Sequence, residues 1–379
     1  MSLPMKPKIG TLTIERFRAL RELKIDGLGR VNLITGRNNT GKSSVLEALR
    51  LLASDASPSV INNILRYREE DFGEAEEPTR PVDAEGLLQI SSLFHGFPQL
   101  SDKPQAIVIS ANGHQRPMKL TLEVAWVSEE RDQDGSRRLV PQQPSLFGEG
   151  DGMPALVIEA GGSKRILTPD HFRRYAYRGR PFRPDLGDEP SLPCIFVSPY
   201  GGERTATLGA LWDKIALSDR EKDVVEALRI IDPEISAVSM VGGEGPRQQR
   251  TAIVRASNLP RPVPLRSFGD GLNRLFGIAL SLVNVKDGLL LIDEFENGLH
   301  HTVQLDAWRV VFKLSRRLGI QVFATSHSWD SIESFQKAAA ETPEQGVLVR
   351  LSRKGEAIIP TIFAEDELAV ATRDRIEVR

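Results

Sequence analysis

The stretch Gly36–Ser43, GRNNTGKS, satisfies G-x-x-x-x-G-K-[ST] at every fixed position. The apolar run RVNLITG before it reads as a strand. The run SSVLEALRLLA after it reads as a helix, with Val45, Leu46, Leu49 and Leu52 at helical spacing. A glycine-rich loop between strand and helix can ring a polyphosphate with backbone N–H groups, and the helix start adds positive potential. The expected cradle is Gly36, Asn38, Asn39, Thr40, Gly41, Lys42, Ser43 and Ser44. In this chemistry Lys42 reaches the β- and γ-phosphates and Ser43 places its hydroxyl on Mg²⁺. The competing reading is a chance glycine turn, and the flanking strand and helix argue against it.

Three further segments fit phosphate chemistry. GLLLIDE reads as a buried strand that delivers Asp293 and Glu294 at its end, where ligands of open α/β sheets sit. Asp293 is the candidate metal carboxylate and Glu294 the candidate that polarises an attacking water. ATSHS ends the next strand with His327, whose imidazole could hydrogen-bond a phosphate or the water. SFGDG, with Ser267, Gly269 and Gly271, opens an apolar helix and is a second phosphate-binding type of helix start. Its bland reading is an ordinary helix capped by Ser267 or Asp270.

The elements that would position these residues follow from the hydrophobic pattern. GTLTIERFRAL, QAIVISA, MKLTLEVAWV and SLPCIFVS read as strands, and ALVIEAGGSKRIL as a hairpin. From Ser54 to Pro104 the pattern weakens, and the acidic, proline-bearing EEDFGEAEEPTRP suggests a solvated insertion. SEERDQDGSRRLVPQQPSLFGEGDG reads as a loop. SDREKDVVEALRII is helical, with Ser218 and Glu221 spaced as a capping box, and two strands follow around a glycine turn. TVQLDAWRVVFKLSRRLG is a helix closed by Gly319, IQVFATSH a buried strand, and the C-terminal segment a hairpin with a short helix. The two ends of the chain are α/β and the middle is mixed.

Bulk properties exclude little. The 379 residues carry a formal charge of −2 with 40% hydrophobic and 26% charged residues, so any case for nucleic acid must be local. One cysteine, Cys194, allows no internal disulfide and fits a cytoplasmic location. MSLPMKPKIG lacks the apolar region of a signal peptide, no apolar run is long enough for a membrane span, and no sustained heptads appear.

The order of these motifs resembles the ABC-type ATPases: phosphate loop, glycine-rich serine motif, Asp-Glu strand, then strand-end histidine. The resemblance implies an α/β P-loop NTPase fold with a mainly parallel core sheet, an antiparallel β subdomain and a helical lobe. It implies ATP and Mg²⁺ as ligands and ATP hydrolysis as the activity. It also implies a homodimer in which Ser267, Gly269 and Gly271 cap the γ-phosphate held by a second copy, with ENGLHH after Glu294 as the D-loop. Within the group, IERFRALRELKIDGLGRVNLITGRNNTGKSSVLEAL is similar to the SMC, RecF and OLD-type heads. LRSFGDGLNRLFGIALSLV, GLLLIDEFENGLHH and VFATSHSWDSIESF resemble the OLD-like ATPases in particular. Arg18 stands where that family often has a phosphate-proximal arginine.

The organisation expected from the resemblance is one head over 1–379. Residues 1–200 form an N-terminal lobe with insertions at about 54–104 and 128–190, and 201–265 a helical and hairpin lobe. Residues 266–340 form the signature and Asp-Glu core, and 341–379 the final hairpin and helix. Two departures stand out: the coiled-coil arms of SMC heads are missing, and too few residues follow His327 for the Toprim nuclease of full OLD proteins. A coupled nuclease or toxin is therefore expected as a separate effector chain, as in two-gene bacterial defence systems. The rival functions are an ATP-loaded scaffold without turnover and an energising subunit of a membrane transporter. HFRRYAYRGRPFRP, with Arg173, Arg174, Arg178, Arg180 and Arg183 among aromatics, is the candidate nucleic-acid patch; a solvated loop or a protein-docking surface fits it as well. His300 and His301 are too isolated for a metal site.

Overall fold

The computed structural model describes residues 7–70, 90–98, 105–113, 116–131, 137–141, 153–168, 191–199, 205–242, 250–342 and 345–373. In chain order, β1 (Thr11–Phe17) and β2 (Leu20–Asp26) form a hairpin. Then β3 (Val31–Thr35) leads through the glycine loop into α1 (Lys42–Ala53), followed by α2 (Pro58–Tyr67). A run of strands comes next: β4 (Ile107–Asn112), β5 (Met118–Arg131), β6 (Arg137–Pro141), β7 (Met153–Ala160), β8 (Ser163–Leu167) and β9 (Cys194–Val197). The lobe that follows contains α3 (Thr205–Asp213), α4 (Asp219–Leu228), β10 (Ile235–Val241), β11 (Thr251–Ala256) and β12 (Val263–Pro264). A short 3₁₀ turn (Leu265–Phe268) opens α5 (Asp270–Asn284), after which come β13 (Leu289–Ile292), α6 (His301–Leu318), β14 (Gln321–Thr325) and α7 (Trp329–Ala340). The hairpin β15 (Gly346–Lys354) and β16 (Ala357–Phe363) precedes α8 (Glu365–Arg373).

The core sheet has the order β16-β15-β3-β14-β13-β9, and only β16 runs antiparallel to its neighbour. All residues of β3, β13 and β14 are buried, as expected for strands covered on both faces. Side chains alternate between the two covering layers. Leu289 and Leu291 join the cluster around α1, while Leu290 and Ile292 join the cluster under α6 and α7. Because β3, β13 and β14 are parallel, the glycine loop, the Asp-Glu pair and the histidine segment all leave the sheet at the same end.

A second sheet, β2-β1-β4-β5-β7-β8 with β6 on β5, is antiparallel and packs through Leu12, Ile14, Ile109 and Leu120 onto the α1 side. The third unit combines β10-β11-β12 with α3, α4 and one face of α5 around Trp212 and Phe276.

Three expectations need correction. The weak pattern after Ser54 conceals core residues on either side of EEDFGEAEEPTRP, which beyond Glu70 lies outside the described residues. Ile61, Ile64 and Leu65 of α2 recur at i, i+3 and i+4 and are buried, and Ile90, Leu93 and Phe94 enter the core. The stretch read as a loop from Ser128 instead continues β5 to Arg131 and contains β6, because cross-strand pairing outweighs its polar composition. The capping box of α4 is not formed: the Ser218 hydroxyl donates to the Ile215 carbonyl (2.5 Å), and Glu221 accepts from the Leu217 N–H (3.1 Å).

Candidate active site

The glycine loop is shaped by its neighbours. Gly36 has φ 142°, and a Cβ there would stand 2.4 Å from the Leu351 carbonyl oxygen of β15. Gly41 has φ 85°, and its Cβ would meet Leu20 of β2 at 2.7 Å. Both sites therefore exclude any side chain, by backbone angle and by space. The Thr40 hydroxyl donates to the Arg37 carbonyl (2.8 Å), and Lys42 Nζ donates to the carbonyls of Gly36 (2.7 Å) and Arg37 (3.1 Å). The lysine is thus parked across its own loop. Burial holds its ammonium below the ordinary lysine range, with Asp293, Glu294 and Glu296 pulling in the opposite direction.

The acidic pair is tied to this loop. Ser43 Oγ donates to Asp293 Oδ1 (3.2 Å), and so does Thr325 Oγ1 at the end of β14 (2.5 Å). Thr325 Oγ1 also accepts from the Glu294 N–H (2.8 Å). Glu294 has φ 47°, an uncommon angle for a side chain of its size, and Asn297 Nδ2 donates to its Oε2 (2.8 Å). Behind the pair lies Arg274 of α5, only 2% exposed. Its Nη2 donates to the carbonyls of Asp293 (2.8 Å) and Glu294 (3.0 Å), and its Nη1 to that of Ser198.

Loop and acids open into a cleft of about 610 Å³, within the range of small-molecule sites. Asn38, Asn39, Thr40, Gly41, Lys42, Ser43, Ser44, Asp293, Glu294 and Arg18 line it, together with Thr325, Arg68, Glu70, His95, Phe97, Arg353 and Glu356. Gly36 lies at the base of the loop. Arg18 is 5% exposed and its guanidinium is engaged: Nε lies 2.6 Å from Glu47, off the line of a hydrogen bond, and two donors meet Glu70 at 3.0 and 3.1 Å. Glu47, buried in α1, also accepts from Arg68 Nε (2.7 Å). This cluster joins α1, the β1–β2 turn and the end of α2 into one wall.

His327 leaves β14 beside the cleft rather than in its lining. Its Nδ1 lies 3.2 Å from Glu296 Oε1, which also accepts the N–H groups of His327 (3.0 Å) and Ser328 (3.1 Å). Ser267, Gly269 and Gly271 do not join the cleft of their own chain. Ser267 and Gly269 are exposed, Gly269 is the N-cap of α5 with φ 95°, and no side chain caps the helix. The simple alternative of Ser267 or Asp270 as the cap is therefore not realised. The helix start does lie against the ENGLHH segment: a Cβ on Gly271 would stand 3.0 Å from the Gly298 carbonyl. Arg173, Arg174, Arg178, Arg180 and Arg183 fall outside the described residues. Rings of His300 and His301 stand 4.1 Å apart, and among the described residues no cluster of three metal-type ligands exists. No helix among them is long and apolar enough to cross a membrane.

Residues 8–96 match the family model described as "AAA ATPase domain", and residues 205–332 match "AAA domain, putative AbiEii toxin, Type IV TA system". Between them these matches contain the glycine loop, the Ser267 segment, the acidic pair and His327. The chain is an ATPase. An "ATP/GTP phosphatase" of Helicobacter pylori (strain ATCC 700392 / 26695) is 23% identical to this ATPase, across 95% of this chain and 96% of the relative. An Smc head crystallised with the C-winged helix domain of ScpA superposes with TM-score 0.52 at 11% identity, covering 95% of this chain and 99% of that one. An Smc head with an extended coiled coil, bound to the C-terminal domain of ScpA derived from Pyrococcus furiosus, gives 0.50 at 10% identity, covering 98% and 100%. These likenesses support the P-loop ABC-type fold of the ATPase.

The donor set suits the ion that accompanies ATP. Ser43 and Asp293 offer hard oxygen ligands at one end of the loop, next to the Thr325 hydroxyl. Sequence reasoning missed Thr325, Arg274, Glu47, Arg68 and Glu296. Thr325 stands within ATSHS, and its place as the last residue of a buried strand was the available signal. The others act through contacts between distant segments.

Proposed function

We propose that this ATPase is a single head that pairs with a second copy on ATP and forms two composite sites, and that the resulting movement regulates an effector chain. The observation that carries the proposal is the separation of the machinery. The loop, the ion ligands and Glu294 converge on one cleft, while Ser267–Gly271 form an exposed, uncapped helix start outside it. In the proposed cycle Lys42 exchanges its two loop carbonyls for the β- and γ-phosphates. Glu294, its carboxylate oriented by Asn297 and its backbone by Thr325, aligns the water that attacks the γ-phosphorus, and ADP leaves. His327, steadied by Glu296, contacts the phosphate end, and the second copy's Ser267 segment closes the cage. Ser43 and Asp293 would hold Mg²⁺, which when bound neutralises charge on the phosphate oxygens. Catalysis is positional and electrostatic.

The effector is proposed to be a nuclease or toxin in an OLD-like bacterial defence or DNA-metabolism setting. The toxin–antitoxin wording of one family model and the partner-bound Smc heads support a separate chain. The deciding experiment is light scattering of Glu294→Gln with and without ATP. The expected result is a shift from monomer to dimer on ATP; monomers throughout, with wild-type turnover proceeding normally, would refute composite sites.

A further inference from the structure

We propose that Phe97 is the platform on which the base of the bound nucleotide stacks, so that the cleft contains an aromatic base subsite carried by the segment Ile90–Pro98. The proposal rests on the nucleotide reading of the cleft.

Phenylalanine is ordinarily buried, and Phe17, Phe94, Phe276, Phe295, Phe312, Phe323 and Phe335 are. Phe97 is 66% exposed and lines the cleft. Its backbone has φ 51°, directly after Gly96 at φ 82°. A bulky residue in this left-handed region costs about 1–3 kcal/mol and persists only where its surroundings impose it. Here they do. The Arg18 N–H donates to the Leu93 carbonyl (2.8 Å), the His95 N–H to the Arg16 carbonyl (3.0 Å), and His95 Nδ1 lies 2.7 Å from the Arg18 carbonyl. Phe94 bridges to Phe17 and is buried. The segment is clasped to the β1–β2 turn while its apolar tip is left in water.

The polarity of the cleft says what the tip is for. Ser43 and Asp293 mark the ion end, so a triphosphate seated in the loop sends its ribose and base away from them. Leu20, at the start of β2, touches the position of a Gly41 Cβ, which places the β1–β2 turn and the segment clasped to it beside the last residues of the loop. Of the remaining walls, Arg18, Arg68, Glu70, Arg353 and Glu356 offer charge, Arg353 is engaged with the Asn39 carbonyl (3.1 Å), and His95 is held at the Arg18 carbonyl. Phe97 offers the flat apolar face that a purine covers. Stacking on a phenyl ring uses the π-face common to every base, so the subsite favours nucleotides over bare polyphosphate without distinguishing adenine from guanine.

Calorimetry on Phe97→Ala tests this with three probes. ATP and GTP are each expected to bind about tenfold more weakly than to wild type. Inorganic tripolyphosphate, which has no base, is expected to bind both proteins alike. Phe97→Trp is expected to keep wild-type ATP affinity and to lose indole emission when ATP is added. Unchanged ATP affinity in Phe97→Ala overturns the proposal, including the case in which only ATP-dependent dimers are lost, since the ring would then belong to a chain interface. An equal loss for tripolyphosphate also overturns it, because the defect would lie in the loop. A wild-type protein that binds tripolyphosphate but gains nothing from a base overturns the subsite while leaving the phosphate loop standing.

Discussion

The two helix starts on this chain, at α1 and at α5, share a local design and differ in their surroundings. Each begins behind a glycine with positive φ, Gly41 or Gly269, and neither has a side-chain cap. At α1 the space around the glycine is filled: Leu20 lies against it, the carbonyls of Gly36 and Arg37 are occupied by Lys42, and Asp293, directly after β13, accepts a hydrogen bond from Ser43. At α5 nothing lies within 4 Å of the position a Gly269 Cβ would take. Uncapped N–H groups attract anions in either place. In the proposed cycle the walls decide whose anion is bound: the enclosed start would serve a ligand held by its own chain, and the open one a ligand presented by the second copy.

The strongest way to break this comparison is to disable each start in turn. Lys42→Ala is expected to lose measurable ATP binding by calorimetry. Ser267→Arg is expected to keep ATP affinity within about twofold yet lose turnover by two orders of magnitude or more, a drop comparable to that of Glu294→Gln, for which about 10²–10⁴ is expected. Normal hydrolysis by Ser267→Arg would make the open start irrelevant to the chemistry.

Arg18→Ala comes next. It leaves the buried Glu47 with one partner, so a loss of about 3 kcal/mol in urea unfolding is expected, with a smaller effect on ATP affinity. A large affinity loss at unchanged stability would instead move Arg18 from the wall to the phosphates. The smallest effect concerns pH. Phosphate binding favours the charged form of Lys42, whose pKa burial lowers in the free protein, so binding takes up a proton. ATP affinity should therefore fall as pH rises through that lowered pKa, before the ordinary lysine range near 10.4 is reached. A flat profile up to that range would show that the lysine is not desolvated.

Local features were legible in the sequence and relational ones were not. The loop, the Asp-Glu strand and the open serine segment each announce themselves within about ten residues, because turn chemistry and strand burial are local. Arg274 gave no sign among the apolar residues of its helix; its role appears only where α5 crosses behind β13. Glu47 looked like one more helical glutamate until α2 and the β1–β2 turn brought two arginines to it. Polar composition also concealed the far end of β5, whose pairing with β6 supplies what its side chains do not.

The contact between Gly36 and Leu351 has a consequence for how the protein comes into being. The phosphate loop is translated well before β15, yet part of its mould is a carbonyl of β15, and β3 itself lies between β14 and β15. A nascent chain that has not yet emerged as far as Gly346–Lys354 lacks that wall. Competence to grip ATP should therefore arise only after β15 has emerged, so that shorter ribosome-tethered intermediates remain blind to the nucleotide pool around them.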